Sequence, residues 1–187
     1  VAKGASIQRL EDIMLTVVIA IALQIPHFGL MAVSAHPDFS GTWKIDRKLS
    51  TYELLRDLED LVFVISQSDE SIIVKRIIKE KKHKERIKEL TYYADGRGEK
   101  VSFLFSNEKW NSKTIWVEGS LVSKFTVTEY ESTSSDFYYY DYTETWSLSK
   151  DSKLLTIKTD IAVRNVPNFL RNRITSSSYA KVFQRME

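Results

Sequence analysis

The sequence contains no cysteine. That excludes disulfides, thiol nucleophiles, thiolate-ligated metals and a lipid-modified cysteine. Histidine is nearly as scarce. His27, His36 and His83 are widely spaced, which leaves no cluster for zinc and no Ser-His-Asp arrangement. Haem can rest on a single protein histidine, but His83 lies in Glu80-Lys81-Lys82-His83-Lys84-Glu85-Arg86, which reads as a charged, solvent-facing hairpin tip. Only 3 prolines and 6 glycines occur in 187 residues, too few for a disordered or collagen-like chain. A large charge of one sign is also missing. The 27 basic and 25 acidic side chains leave a net charge of +2, so there is no electrostatic reason to expect a nucleic-acid partner. The basic stretch 79–88 is interleaved with glutamates and lacks apolar anchors, which favours a solvated hairpin over a surface for anionic lipid. Asp95-Gly96-Arg97-Gly98 lacks the Lys-Ser/Thr of a phosphate cradle. Neither a cofactor nor a metal is expected.

Aromatic residues are plentiful. The 9 Tyr, 9 Phe and 4 Trp favour β-structure over a helical bundle. The length of 187 residues suits a leader followed by one domain with a sizeable core.

The leader is read from residues 1–35. An apolar run over 13–23 is preceded by Lys3 and Arg9 and followed by Pro26 and Gly29, and Val33-Ser34-Ala35 offers a small-residue exit before His36. Positive start, apolar middle and small-residue exit form a secretory signal, although Glu11 and Asp12 dilute the first part. The rival is a signal anchor, since no charged side chain occurs from Ile13 to Ala35 and a span needs about 20 apolar residues. Gln24, Pro26 and His27 interrupt that stretch and favour the cleaved signal. The expectation is a domain over 36–187, secreted or periplasmic, with no membrane partner after cleavage.

From Asp38 onward the chain alternates in short extended pieces. After an opening strand around Gly41-Thr42-Trp43-Lys44-Ile45, Leu54, Leu55 and Leu58 share a helical face, with Ser50 or Thr51 as a cap. Extended segments follow over 61–66, 72–78, 86–93, 101–105, 113–118, 121–130, 137–148, 154–163 and 179–185, divided by turns such as Glu118-Gly119-Ser120. The spacing predicts an all-β antiparallel sandwich or barrel of about eight to ten strands, with one short helix after the first strand.

Phe39-Ser40-Gly41-Thr42-Trp43-Lys44 resembles the Gly-x-Trp opening of lipocalin-like (calycin-type) barrels. It is most similar to the small exported lipocalin-like domains of bacteria. The pieces Trp116-Val117-Glu118-Gly119-Ser120-Leu121-Val122 and Glu144-Thr145-Trp146-Ser147-Leu148 resemble the same domains, as does the closing Val182-Phe183-Gln184-Arg185. The resemblance implies an up-and-down barrel carrying a small hydrophobic ligand. It also implies structural roles for Gly41, Trp43, Trp146 and Arg185, with Trp43 packed at the closed end beneath Arg185 in a cation–π contact.

Alternation sorts the faces, since residues two apart share a side. One face of the 137–148 segment carries Tyr138, Tyr140, Tyr142, Glu144, Trp146 and Leu148, and one face of 72–78 carries Ile72, Val74, Arg76 and Ile78. A buried carboxylate is costly unless paired, so Glu144 and Arg76 (or Lys124) are expected to share a buried polar cluster. Together with Tyr138, Tyr140 and Tyr142 they are the candidate ligand-binding residues. A purely structural ion pair is the competing reading.

Three functions fit these residues. The first is a non-enzymatic exported barrel that binds a small apolar or amphipathic molecule. The second is a structural or interaction module with a filled aromatic core. The third is acid–base catalysis near Glu144 and Tyr140, for which no nucleophile or metal set is found, so no catalytic residue is assigned.

Overall fold

The computed structural model describes residues 36–81, 83–131 and 136–187. The leader expected over 1–35 lies outside the described residues. Ten strands follow in order: β1 (Gly41–Ile45), β2 (Leu58–Gln67), β3 (Ile72–Glu80), β4 (Arg86–Tyr92), β5 (Glu99–Val101), β6 (Trp110–Val117), β7 (Ser120–Glu131), β8 (Asp136–Leu148), β9 (Leu154–Arg164) and β10 (Ser177–Arg185). They form one antiparallel sheet in the order β4-β3-β2-β1-β10-β9-β8-β7-β6-β5. The first and last strands pair, Trp43 opposite Arg185, so the meander curls into a nearly closed up-and-down barrel. Closure removes all but two of the edges that an open sheet exposes.

The strand sequences explain the curvature inward. β7 buries Leu121, Ser123, Phe125 and Val127 and turns the residues between them outward. β2 would break that rhythm, because Leu58 is out of phase with Leu61, Phe63 and Ile65, yet all four are buried. A bulge between Leu58 and Asp60 resolves it, inserting one residue and restoring the phase. The Arg47 guanidinium donates to the carbonyls of Leu58 and Glu59, at 2.5 and 2.6 Å, and holds the bulge in place. The β6–β7 hairpin turns at Glu118 and Gly119, both with positive φ (48° and 77°), as a two-residue primed turn requires.

The closed end is filled. Trp43, Trp146, Tyr92, Phe39, Phe63 and Phe183 are each fully buried, and each apolar side chain of this size contributes roughly 1.5–3 kcal/mol by leaving water. Phe39 stacks on Trp116, whose other neighbour is the stacked His36 ring, and Trp146 meets Tyr92 edge-on. The Trp43 indole donates to the Phe39 carbonyl at 2.8 Å. The Arg185 guanidinium lies 4.7 Å from the Trp43 ring and donates to the Ser40 carbonyl at 3.0 Å.

Two expectations need correction. The helix after β1 is a single 3-10 turn, Glu53–Asp57, without a side-chain cap. Ser50 and Thr51 serve β10 instead, their hydroxyls accepting from the amides of Val182 and Ala180. Of the three leucines, Leu55 and Leu58 are buried, Leu58 already within β2, and Leu54 is exposed. The strand expected over 101–105 ends at Val101. The Ser102 carbonyl accepts from Arg76 at 2.8 Å, and Phe103 packs on Trp110 and Tyr142. β4 and β5 therefore face each other across a seam without a ladder, stitched by side chains: Arg76 to Ser102, Lys88 to the Ser106 carbonyl, and the Tyr93 amide to Glu99.

Candidate functional site

Above the aromatic floor the barrel interior becomes polar. Arg76 of β3, Glu144 of β8 and Lys181 of β10 are 4%, 7% and 6% exposed. Each occupies an inward position of its strand, flanked two residues away by apolar or aromatic neighbours: Val74 and Ile78, Tyr142 and Trp146, Tyr179 and Phe183. The Lys181 Nζ donates to Glu144 Oε1 at 3.2 Å, and the Thr159 hydroxyl reaches the same oxygen at 3.5 Å. Arg76 Nη2 donates to the Tyr92 hydroxyl at 2.7 Å, and its guanidinium carbon sits 5.5 Å from the centre of the Phe63 ring. Glu99, the other carboxylate facing this end, is engaged by the Ser112 and Thr114 hydroxyls.

The electrostatics follow from this grouping of two cations and one anion. Burial alone works to raise the Glu144 carboxyl, but the Lys181 ammonium and the Arg76 guanidinium outweigh it and hold the group below its usual range. Lys181 moves down as well. Its burial disfavours the ammonium, Glu144 opposes that, and Arg76 repels the charge. The pair is therefore unequal: with Arg76 always charged, Glu144 keeps a counter-ion even when Lys181 gives up its proton. Burial pushes the Tyr52 hydroxyl up to about 12 and raises those of Tyr92 and Tyr179 further.

An apolar cleft of about 470 Å³ lies on the open side of this cluster, lined by Tyr52, Tyr179, Tyr142, Phe103, Phe105 and Ile161 among others. Tyr52, which precedes the 3-10 turn, stacks on Tyr179 of β10 with ring centres 4.5 Å apart. The Lys181 Nζ is 5.8 Å from the centre of each ring. The stacked pair thus forms the partition between cleft and charge. Along the other wall Tyr142 stacks face to face on Phe125 at 4.8 Å. Among the described residues, Arg76 Nε, Arg86 Nε, Ser123 Oγ and Trp146 Nε1 are buried without a hydrogen-bond partner.

The structure brings Arg76 and Glu144 into one interior. Tyr142 lines the cleft, Tyr140 is half-buried above it on the same face of β8, and Tyr138 lies farther along, edge-on to Tyr140. Lys124 is elsewhere. It sits between the buried Ser123 and Phe125, so it points outward into solvent and is paired across the sheet with Lys113 and Thr143. The cation that meets Glu144 is Lys181. Parity on β10 could have found it, because Lys181 shares a face with Tyr179 and Phe183. Gly41, Trp43 and Arg185 come together at the closed end, where a Cβ on Gly41 would come within 3.9 Å of both the Trp43 indole and the Arg185 guanidinium. Trp146 is fully buried in the floor between them and the charged cluster.

No protein-family model matches the sequence, and no curated protein sequence matches it. Among solved structures, the chain is similar to one described as "REP1-NXSQ fatty acid transporter", at 9% identity and a TM-score of 0.45, over 79% of this chain and 96% of that one.

Proposed function

We propose that this barrel is a binding protein for a small apolar or amphipathic molecule. The apolar part would lie in the cleft against Phe103, Tyr142 and Ile161, and the polar end would point toward Arg76, Glu144 and Lys181. One observation carries the reading: an apolar cleft of about 470 Å³ and a buried charged cluster share the stacked Tyr52 and Tyr179 rings as a common wall. Small-molecule sites combine these two features, at about 300–1,000 Å³. A barrel that only needed a core would gain by replacing three buried charges with apolar side chains. Binding rather than catalysis is proposed, since the cluster has no companion nucleophile or metal-ligand set among the described residues.

The filled-core alternative accounts for the closed end, where Trp43, Trp146 and Phe183 leave no room. It gives no reason for the cleft or for the charges beneath it. We also propose export, supported by the three-part pattern of residues 1–35. A mature end near His36 on N-terminal sequencing supports that proposal, and an intact leader in the mature protein overturns it.

The test is native mass spectrometry of the purified chain, followed by titration with an anilinonaphthalene sulfonate dye. A co-purified amphipath, or dye binding that disappears in the cleft-filling Ile161→Trp variant, is expected. Dye binding that Ile161→Trp leaves intact would overturn the reading.

A further inference from the structure

We infer that the outer wall of the barrel carries a second site, a basic depression across β5 to β8 that holds a soluble anion bearing two or more linked phosphate groups. It is separate from the interior cleft and does not rest on the binding reading above.

The placement of four lysines carries it. A depression of about 1040 Å³ is lined by Lys100, Lys109, Lys113 and Lys124. Lys100 belongs to β5, Lys113 to β6 and Lys124 to β7, and Lys109 immediately precedes β6. All four are exposed, beside the buried Val101, Ser112, Thr114, Ser123 and Phe125 that turn the other way. Lys113 stands directly opposite Lys124 in the ladder, a position that sets Cβ atoms about 4.5–5.5 Å apart. Lys100 stands opposite Asn111, so it is diagonal to Lys113 at about 7–8 Å.

Like charges directly opposite on a sheet are destabilising, and no carboxylate relieves these. Elsewhere on the barrel Lys44, Lys79, Lys158 and Lys181 each meet an aspartate or glutamate. Lys100, Lys109, Lys113 and Lys124 meet none among the described residues. The two carboxylates bordering the depression are engaged elsewhere. Glu99 accepts from the Ser112 and Thr114 hydroxyls, and Asp141 from Arg164 and Thr126. Four positive charges therefore collect on one face of a chain whose net charge is only +2.

The donors name the ligand class. Lysine ammoniums are compact point charges that suit phosphate oxygens, whereas carboxylates are best met by the flat fork of arginine. Arg97, the arginine at the rim, is held by Asp95. A single phosphate group carries at most about two charges. It is also too small to reach from β5 to β7, roughly 10 Å at the usual strand spacing. Two or three linked phosphates match both the charge and the span. The rings at the border are turned to one another, Trp110 to Phe103 and Phe125 to Tyr142, so charge alone is read and no base is stacked.

The experiment is calorimetric titration of the full chain with sodium tripolyphosphate at low salt, with orthophosphate as the control and amide chemical-shift mapping of the complex. Expected is saturable binding of one tripolyphosphate per chain, at least about tenfold tighter than orthophosphate and weakened by sodium chloride. The mapped shifts should centre on Lys100, Asn111, Lys113 and Lys124. The double variant Lys113→Gln with Lys124→Gln should bind at least about tenfold more weakly, and Lys150→Gln, in the turn after β8, should bind as wild type does. Lys124→Glu should lose binding yet unfold at a higher temperature, because it sets a carboxylate opposite Lys113; that separates loss of the site from damage to the fold. Absence of saturable binding, or binding that the double variant leaves intact, would overturn the proposal. So would binding to heparin or to phosphatidylglycerol vesicles without binding to tripolyphosphate. Shift mapping on the wild-type chain decides the location without any variant.

Discussion

Lys181 Nζ and Glu144 Oε1 meet at 3.2 Å inside the barrel, and Arg76 lies close enough to act on both. The unequal sharing of one carboxylate by two cations sets the behaviour of the site.

The two partners are therefore not equivalent on deletion. Glu144→Gln leaves two buried cations without a counter-charge, and losses of about 3–5 kcal/mol accompany such uncompensated pairs. Lys181→Met leaves Arg76 facing Glu144, a balanced pair, and keeps the aliphatic stem of the side chain. Urea unfolding should show the larger loss for Glu144→Gln, with the slope unchanged. Equal losses would mean that Arg76 does not compensate Glu144.

Stability should vary with pH in two opposite ways. The Glu144 carboxyl is lowered in the fold, so its contribution is present above the unfolded carboxylate range and disappears as pH falls through the folded value. Lys181 is also lowered, so between its folded pKa and about 10.4 the unfolded chain binds more protons and stability rises with pH. Tyr52, Tyr92 and Tyr179 are raised, so their contributions are lost above about pH 10. Subtracting the Lys181→Met curve from the wild-type curve between pH 7 and 10 should leave a difference that grows in favour of wild type. A flat difference would show an ordinary lysine.

At the opposite end, Arg185 caps the Trp43 ring at 4.7 Å. Arg185→Met should cost about 0.5–2 kcal/mol, the range of such contacts, and leave dye binding at the cleft unchanged. Gly41→Ala should cost at least about 1 kcal/mol for a different reason: φ is +132° there, a conformation that side-chain-bearing residues rarely adopt. Thermal unfolding with a parallel dye titration separates stability from binding. Weakened binding in Arg185→Met would show that the two ends of the barrel are coupled.

Much of this was legible from alternation alone. On β8 and β3 the period-two pattern places Glu144 and Arg76 inside, and the structure has both buried. The same rule, applied to β7, sends Lys124 out, because Leu121, Ser123, Phe125 and Val127 are the apolar and small residues of one face. Applied to β10, it sends Lys181 in. What alternation cannot convey is the contribution of chain without a period. Tyr52 reaches Tyr179 from an irregular stretch before a 3-10 turn, and its place depends on Ser50 and Thr51 bonding to β10. Phe103 has the local composition of a strand, yet it leaves the ladder because Arg76 claims the neighbouring carbonyl. The cleft is built largely from these two segments, which is why the charges could be anticipated and the cavity over them could not.

Arg76 should set the charge balance at Lys181. In Arg76→Met the cluster holds one cation and one anion, so the ammonium of Lys181 is balanced and its pKa should climb back toward the ordinary lysine value. The rise of stability with pH between pH 7 and 10 should then shrink relative to wild type in urea unfolding. Arg76→Lys keeps a charge near Glu144 but cannot keep the two-pronged contact with Tyr92 and the Ser102 carbonyl. It should therefore retain much of the wild-type pH dependence but loosen the 102–106 segment, read as faster amide exchange there. An unchanged pH dependence in Arg76→Met would show that Arg76 does not act on Lys181.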